Sequence, residues 1–155
     1  MNQKKERERP SILLFPLKGN KGHKKINTMP KKILAIEDDR FLRKLLIDRL
    51  LEEGYSVEGA IDGEEGLKKT KESTFDLILL DLVLPGIGGF EVLVSLKKDQ
   101  NLKKIPVLIL SNLGQKEEIE KGLKLGAIDY IIKAHFTLDE IVEKIKKILK
   151  KDETE

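Results

Sequence analysis

Residues 77–86 read LILLDLVLPG, an apolar run interrupted by an acid and closed by a Pro-Gly turn. Four consecutive aliphatic residues, Leu77–Leu80, are typical of a strand buried on both faces, as in a parallel sheet covered by helices. Open parallel sheets bind ligands at the carboxyl ends of their strands, and Asp81 falls at that position. This stretch therefore predicts an α/β protein with a carboxylate at its functional edge.

Short apolar runs alternate with helix-period segments on both sides of this stretch. Such alternation is the pattern of a parallel sheet with helices on its two faces. The run Tyr55–Gly59 contains polar Ser56 and Glu58, which predicts an edge strand. From residue 31 onward we expect five βα units, with strands at Ile33–Ile36, Tyr55–Gly59, Leu77–Leu80, Ile105–Leu110 and Ile128–Ile132.

Capping signals mark several of the intervening helices. Asp39 is a candidate N-cap for a helix that ends at Gly54, although its carboxylate is equally compatible with a role as a ligand. Gly126 is expected to end the helix before the fifth strand. Thr137 and Glu140 form a capping box at the start of the last helix.

Composition limits both the number of domains and the kinds of site. The 155 residues include no cysteine, which excludes disulfides, thiolate metal sites and a cysteine nucleophile. No apolar run approaches the roughly 20 residues that span a bilayer, so we expect a cytoplasmic protein without membrane contact. We predict a disordered basic extension over residues 1–29, one folded domain over residues 30–151 and a short tail over residues 152–155.

The extension carries most of the positive charge. Residues 1–29 hold eight Lys/Arg against two Glu, whereas the rest of the chain holds 22 Lys/Arg against 25 Asp/Glu. One interpretation is a basic arm that touches nucleic acid or acidic lipid. The other, which we prefer, is that Met29 is the natural start and the preceding residues have no structure.

Polar side chains that can bind an ion or a phosphate follow four of the five predicted strands: Glu37, Asp38, Asp81, Ser111 and Lys133. They should meet at one edge of the sheet, because the carboxyl ends of parallel strands lie together. Clustered carboxylates repel one another unless a cation is present, and this donor set suits Mg2+ better than Ca2+. A hydroxyl and an ammonium beside Mg2+ would hold a phosphoryl group.

Three segments, taken in order, resemble the receiver domain of bacterial two-component response regulators. They are ILAIEDD at residues 33–39, LLDLVLPG at residues 79–86, and GAIDY at residues 126–130 followed by Lys133. The resemblance covers about residues 31–150 and implies a flavodoxin-like (βα)5 fold with strand order 2-1-3-4-5. Because the chain stops near the end of the fifth helix, we expect a stand-alone receiver that signals through a protein partner.

The resemblance assigns a role to each residue of the predicted site. Asp81 would be the phosphoacceptor, and Lys133 would pair with its carboxylate. Asp38 would bind Mg2+ directly and Glu37 through water, while the backbone carbonyl of Val83 would complete the protein ligands.

The resemblance also implies a switch that involves Ser111 and Tyr130. The Ser111 hydroxyl would move to the phosphoryl group, and Tyr130 would turn from an exposed to a buried position. A downstream protein would read the resulting change in the face formed by the fourth helix, the fifth strand and the fifth helix. Ordinary packing is the alternative explanation for Tyr130.

The implied phosphodonor is a sensor histidine kinase or a histidine phosphotransfer protein. The protein would then be a monomer, or a dimer that forms on phosphorylation. It would not be an enzyme beyond Mg2+-dependent self-phosphorylation from a phosphodonor and self-dephosphorylation.

Three departures from the family pattern bear on these roles. Ala134 follows Lys133 where receivers usually have a cis proline; a cis peptide before alanine costs about 2.5–4 kcal/mol, so we do not expect it here. Asn112 stands where a small residue is common, and it would either gate or hydrogen-bond the phosphoryl group. Val83 and Leu113 are apolar and would exclude hydrolytic water, which predicts a long-lived phosphoryl group.

Two other functions stay open at this stage. A constitutive interaction module would keep the fold without being phosphorylated, with Lys133-Ala134 as its sign of divergence. Nucleic-acid binding through residues 4–25 ranks last. A zinc site is not expected because neither His23 nor His135 has a second soft ligand at metal spacing, and the chain lacks the loops of nucleotide and serine hydrolases.

Overall fold

The computed structural model describes residues 29–153, in which strands and α-helices alternate along the chain. Residues 1–28, which make up nearly all of the predicted basic extension, lie outside the described residues. A short 3-10 helix, Lys133–His135, precedes the last α-helix. The other elements are β1 (Lys32–Ile36), α1 (Arg40–Glu52), β2 (Ser56–Ala60), α2 (Gly63–Glu72), β3 (Leu77–Leu80), α3 (Gly89–Lys98), β4 (Val107–Ser111), α4 (Lys116–Lys124), β5 (Asp129–Ile132) and α5 (Leu138–Glu153).

The strands form one parallel sheet in the order β2-β1-β3-β4-β5. The flavodoxin-like (βα)5 fold is therefore confirmed, and β2 lies at the edge where its polar residues predicted it. Strand order reverses beside β1, so the carboxyl ends of β1 and β3 border a crevice. Two further backbone bonds hold the residues that follow these strands, from Glu37 N to Ala60 O at 3.0 Å and from Asp81 N to Ile36 O at 3.1 Å.

The sheet separates two apolar cores. Leu34 and Ile36 of β1 face the core covered by α3, whereas Ile33 and Ala35 face the core covered by α1 and α5. Successive side chains of a strand point to opposite faces, so a strand covered on both faces needs an unbroken apolar run. β3 is buried at all four positions for this reason.

The bounds of four strands differ from the predicted ones by one or two residues, whereas β3 has the predicted bounds. Local hydrogen bonds explain two of the differences. The Ile105 amide donates to Leu102 O at 3.0 Å in a turn, so β4 begins later, at Val107. The Tyr55 amide donates to Leu50 O at 3.2 Å, which keeps Tyr55 at the end of α1 and out of β2.

The predicted caps are present. Asp39 Oδ1 accepts an amide of α1 at 3.0 Å, so of its two interpretations the N-cap is the one the structure supports. Gly54 and Gly126 have φ angles of 96° and 112°, a left-handed conformation that suits glycine after a helix. Thr137 and Glu140 exchange the two bonds of a capping box, at 2.8 and 3.1 Å. Within residues 29–153, none of the helices combines the length and apolar character that a membrane span requires.

Candidate functional site

The carboxyl ends of β1 and β3 bring three carboxylates together. Oxygen atoms of Glu37, Asp38 and Asp81 lie within 4.8 Å of one another. Glu37 and Asp81 are buried, with 3% and 5% of their surface exposed, whereas Asp38 faces solvent. Hard oxygen donors on one side and open solvent on the other fit Mg2+, which binds few carboxylates and keeps several waters. The structure thus assembles the donor set that the sequence predicted.

Lys133 lies between the two buried carboxylates. Its Nζ is 2.8 Å from Glu37 Oε1 and 3.1 Å from Asp81 Oδ2, and its side chain is 16% exposed. The resemblance predicted the contact with Asp81 but not the shorter one with Glu37. One ammonium against three carboxylates leaves an excess of negative charge, which a divalent cation would neutralise.

The pKa values of this pair move in the same direction. Burial raises the pKa of the Glu37 carboxyl, and the charge of Asp81 raises it further, while the Lys133 hydrogen bond opposes both effects. Burial lowers the pKa of the Lys133 ammonium, but its contacts with Glu37 and Asp81 outweigh burial and raise that pKa overall. Lys133 is therefore charged at neutral pH.

The Lys133-Ala134 departure does not displace the lysine. No cis peptide bond occurs in the part of the chain that the structure describes, so this peptide is trans. Lys133 begins the 3-10 helix, whose last turn is closed by a bond from Phe136 N to Lys133 O at 3.4 Å. The capping box that starts with Thr137 follows at once, and these local bonds hold the lysine within reach of both carboxylates.

Ser111 and Tyr130 meet at the loop between β4 and α4. Ser111 is fully buried, and its Oγ accepts the Leu113 amide at 3.2 Å. The Tyr130 hydroxyl donates to the Leu113 carbonyl, and the ring packs against the core. Burial raises the pKa of the Tyr130 phenol, although a hydrogen bond with Ser111 opposes this. Tyr130 is thus half-buried and tied to the loop in this structure.

The residues predicted to tune the site differ in exposure. Val83 is 59% exposed, and its amide donates to Asp81 Oδ1 at 3.3 Å. Asn112 is also exposed, whereas Leu113 is half-buried and packs against the core. Val83 and Asn112 are therefore accessible to a ligand, and their predicted roles, including that of the Val83 carbonyl, stay predictions.

The sequence assigns Gly86, Gly88 and Gly89 to the turn after Asp81, but it did not predict the close packing of α3 at Gly89, the first residue of that helix. A Cβ atom at this position would lie 2.3 Å from Asp81 O and 2.6 Å from Leu82 Cα, both of them backbone atoms. α3 therefore packs directly against the turn that follows β3. The cluster of glycines at residues 86, 88 and 89 was the available signal.

Arg43 of α1 was also missed. Its Nη1 donates to the carbonyl of Glu37 at 2.7 Å and to that of Asp38 at 3.3 Å. Nothing in the local sequence distinguishes this arginine from the other charged residues of α1.

A family model described as the response regulator receiver domain matches residues 33–146. The chain belongs to this family. The match spans β1 through most of α5 and confirms the resemblance carried by the three segments, and it places the receiver domain in two-component signal transduction.

Curated relatives that match this chain are also response regulators or transcriptional regulators. The DNA-binding dual master transcriptional regulator RpaA of Synechocystis sp. is 37% identical over 123 residues, which are 79% of this chain and 50% of RpaA. The chain spans 50 to 59% of the length of such curated relatives.

Two solved structures share the fold over almost their whole length. A response regulator receiver domain protein of Methanospirillum hungatei is 31% identical with a TM-score of 0.75, covering 81% of this chain and 98% of that one. TrrA of Thermotoga maritima, solved in complex with Mg(2+)-BeF, is 36% identical with a TM-score of 0.67, covering 76% of this chain and 97% of TrrA.

Proposed function

We propose that this receiver domain accepts a phosphoryl group on Asp81 in a two-component phosphorelay, with Mg2+ held by Glu37, Asp38 and Asp81. One observation carries the proposal. The buried Asp81 carboxylate lies within 4.8 Å of two other carboxylates and 3.1 Å from the Lys133 ammonium. A carboxylate attacking a phosphate meets strong charge repulsion, and a lysine with a divalent cation offsets it.

The proposed reaction is a transfer between two side chains. Asp81 Oδ attacks the phosphorus of a phosphohistidine on a sensor histidine kinase or a histidine phosphotransfer protein, the P–N bond breaks, and the histidine is released. Mg2+, when bound, neutralises charge on the carboxylate and phosphoryl oxygens. The Lys133 ammonium keeps its contact with Glu37 throughout. Its other contact is with Asp81 before the transfer and with a phosphoryl oxygen after it. TrrA, solved with Mg(2+)-BeF, supports such a site in a relative.

The loop between β4 and α4 provides the proposed route from the site to the surface. Leu113 receives two contacts: its amide donates to the Ser111 hydroxyl, and its carbonyl accepts from Tyr130. When the Ser111 hydroxyl turns toward a phosphoryl oxygen, its bond to Leu113 weakens and the loop moves. Tyr130 follows the loop, which changes the α4-β5-α5 face that a downstream protein reads.

The test uses the full chain with Mg2+ and acetyl phosphate, or beryllofluoride as a phosphoryl mimic, followed by intact mass and NMR. We expect a phosphate-sized adduct and shifts at Ser111 and Tyr130. Asp81→Asn should abolish the adduct. Asp39→Asn is the matched control, since it neutralises a neighbouring carboxylate that caps α1, and asparagine caps equally well; the adduct should persist.

The outcomes separate the candidate functions. An adduct that survives Asp81→Asn would contradict the assignment of the phosphoacceptor. No adduct and no shifts in the wild-type protein would favour the constitutive interaction module. An adduct as short-lived as free acetyl phosphate would refute the proposed exclusion of water by Val83 and Leu113.

A further inference from the structure

Arg43 contacts the backbone of the candidate site from the side of α1. Its Nη1 donates to the carbonyl of Glu37 at 2.7 Å and to the carbonyl of Asp38 at 3.3 Å. These two residues carry two of the three clustered carboxylates. The guanidinium thus holds the acidic loop by its main chain and leaves the carboxylates free to face a cation.

The aliphatic stem of Arg43 packs against Gly59 of the edge strand β2. A Cβ atom at Gly59 of β2 would lie 3.1 Å from Arg43 Cδ, 3.4 Å from Arg43 Cγ and 2.9 Å from Ile47 Cδ1. The φ angle of Gly59 is not in the left-handed region, so glycine serves here to leave space. The bare backbone of β2 therefore lets the arginine stem cross it toward the loop.

Other bonds hold the same loop against the sheet. Glu37 N donates to Ala60 O at 3.0 Å, and Asp39 N donates to Glu37 Oε2 at 3.0 Å. Those two bonds engage amide groups of the loop, whereas the Arg43 side chain donates to the carbonyls of Glu37 and Asp38. The loop is consequently fixed on both its N–H and its C=O groups.

We infer that Arg43 is a positioning residue for the Mg2+ site, an inference that rests on the function proposed above. It orients Glu37 and Asp38 through their backbone and makes no contact with the cation. Bonds that orient metal ligands commonly change metal affinity by 10- to 100-fold when they are removed.

Charge and position predict opposite effects at this residue. Removing a cation beside a cation site should tighten Mg2+ binding, because one repulsive interaction disappears. Releasing the loop that carries Glu37 and Asp38 should weaken Mg2+ binding, because the carboxylates then have to be ordered when Mg2+ binds. The sign of the change therefore distinguishes a positioning residue from a merely nearby charge.

The experiment compares Mg2+ titrations of the full-length wild type, Arg43→Gln and Lys44→Gln by amide NMR. Lys44 is the matched control: it is exposed on the same helix and pairs with Asp48 at 2.8 Å. We expect Arg43→Gln to raise the dissociation constant about tenfold. Lys44→Gln should stay within about twofold of the wild type, since exposed charges are screened.

A second variant keeps every charge. Gly59→Val pushes the Arg43 stem aside and should therefore also weaken Mg2+ binding. If Arg43→Gln does not fold, the Mg2+ affinity of Gly59→Val tests the inference in its place. The inference would be overturned if folded Arg43→Gln bound Mg2+ as tightly as the wild type or more tightly, or if Gly59→Val had wild-type Mg2+ affinity. Either result would leave the proposed function intact. A wild-type protein without saturable Mg2+ shifts would instead overturn the proposed function, and this inference with it.

Discussion

Lys133→Met removes the ammonium between Glu37 and Asp81 but keeps most of the apolar stem. Breaking a buried ion pair by deleting one partner costs about 3–5 kcal/mol, because the other charge stays buried and unpaired. Lys133 loses contacts at 2.8 and 3.1 Å, yet it is 16% exposed and Asp38 opens the cluster to water. We therefore expect the free energy of unfolding at pH 7 to fall by about 2–3 kcal/mol.

The loss should shrink as the pH falls. Lys133 opposes the effect of burial on the Glu37 pKa, so its removal raises that pKa further. Between the unfolded pKa of a glutamate and this raised folded pKa, the folded state binds more protons than the unfolded state, and stability decreases as pH rises. Lys133→Met should thus lose stability more steeply than the wild type as the pH rises above the ordinary glutamate pKa of about 4.3.

Urea unfolding followed by circular dichroism at pH 5 to 8 measures both effects, provided the m-value is unchanged. Lys144→Met is the matched control, because Lys144 pairs with Asp129 at 2.6 Å while both side chains are 38% exposed. An exposed pair contributes about 0–1 kcal/mol. A loss at pH 7 no larger than that of Lys144→Met, or a loss that is the same at pH 5 and pH 7, would refute the reasoning.

Three further predictions follow from single contacts. Tyr130→Phe deletes the hydroxyl bond to the Leu113 carbonyl and should cost about 0.5–1.5 kcal/mol in urea unfolding, with amide shifts in the β4–α4 loop; unchanged shifts there would contradict the contact. Gly89→Ala should lower the free energy of unfolding by about 3 kcal/mol, because its Cβ would lie 2.3 Å from a backbone oxygen. In the control Gly88→Ala the nearest atom to the new Cβ is 3.9 Å away, so the free energy of unfolding should change by less than about 1 kcal/mol. Equal effects of the two substitutions would rule out the close approach of α3. Asp39→Ala should lower the free energy of unfolding by about 1 kcal/mol through loss of the α1 N-cap while Mg2+ binding persists, and a loss of Mg2+ binding would make this carboxylate a ligand after all.

The architecture followed from local patterns in the sequence. Unbroken apolar runs such as Leu77–Leu80 predict strands buried on both faces, and helices must then cover both sides of the sheet. Because parallel strands end at one edge, the acids that follow β1 and β3 were expected to meet there, and their oxygens lie within 4.8 Å of one another. Capping residues such as Thr137 act within one helical turn, so their bonds could also be predicted from spacing alone.

The pairing of side chains within the site required the tertiary structure. Lys133 lies closer to Glu37 than to Asp81, Tyr130 bonds to the Leu113 carbonyl, and Arg43 reaches the acidic loop across β2. Each contact joins positions whose separation depends on how helices and strands pack, to within a fraction of an ångström. Hydrophobic periodicity and strand order determine which residues share an edge of the sheet, because burial of apolar surface is insensitive to such small distances. Hydrogen bonds and ion pairs depend strongly on distance and direction, so the choice among neighbouring partners was decided only when the chain was packed.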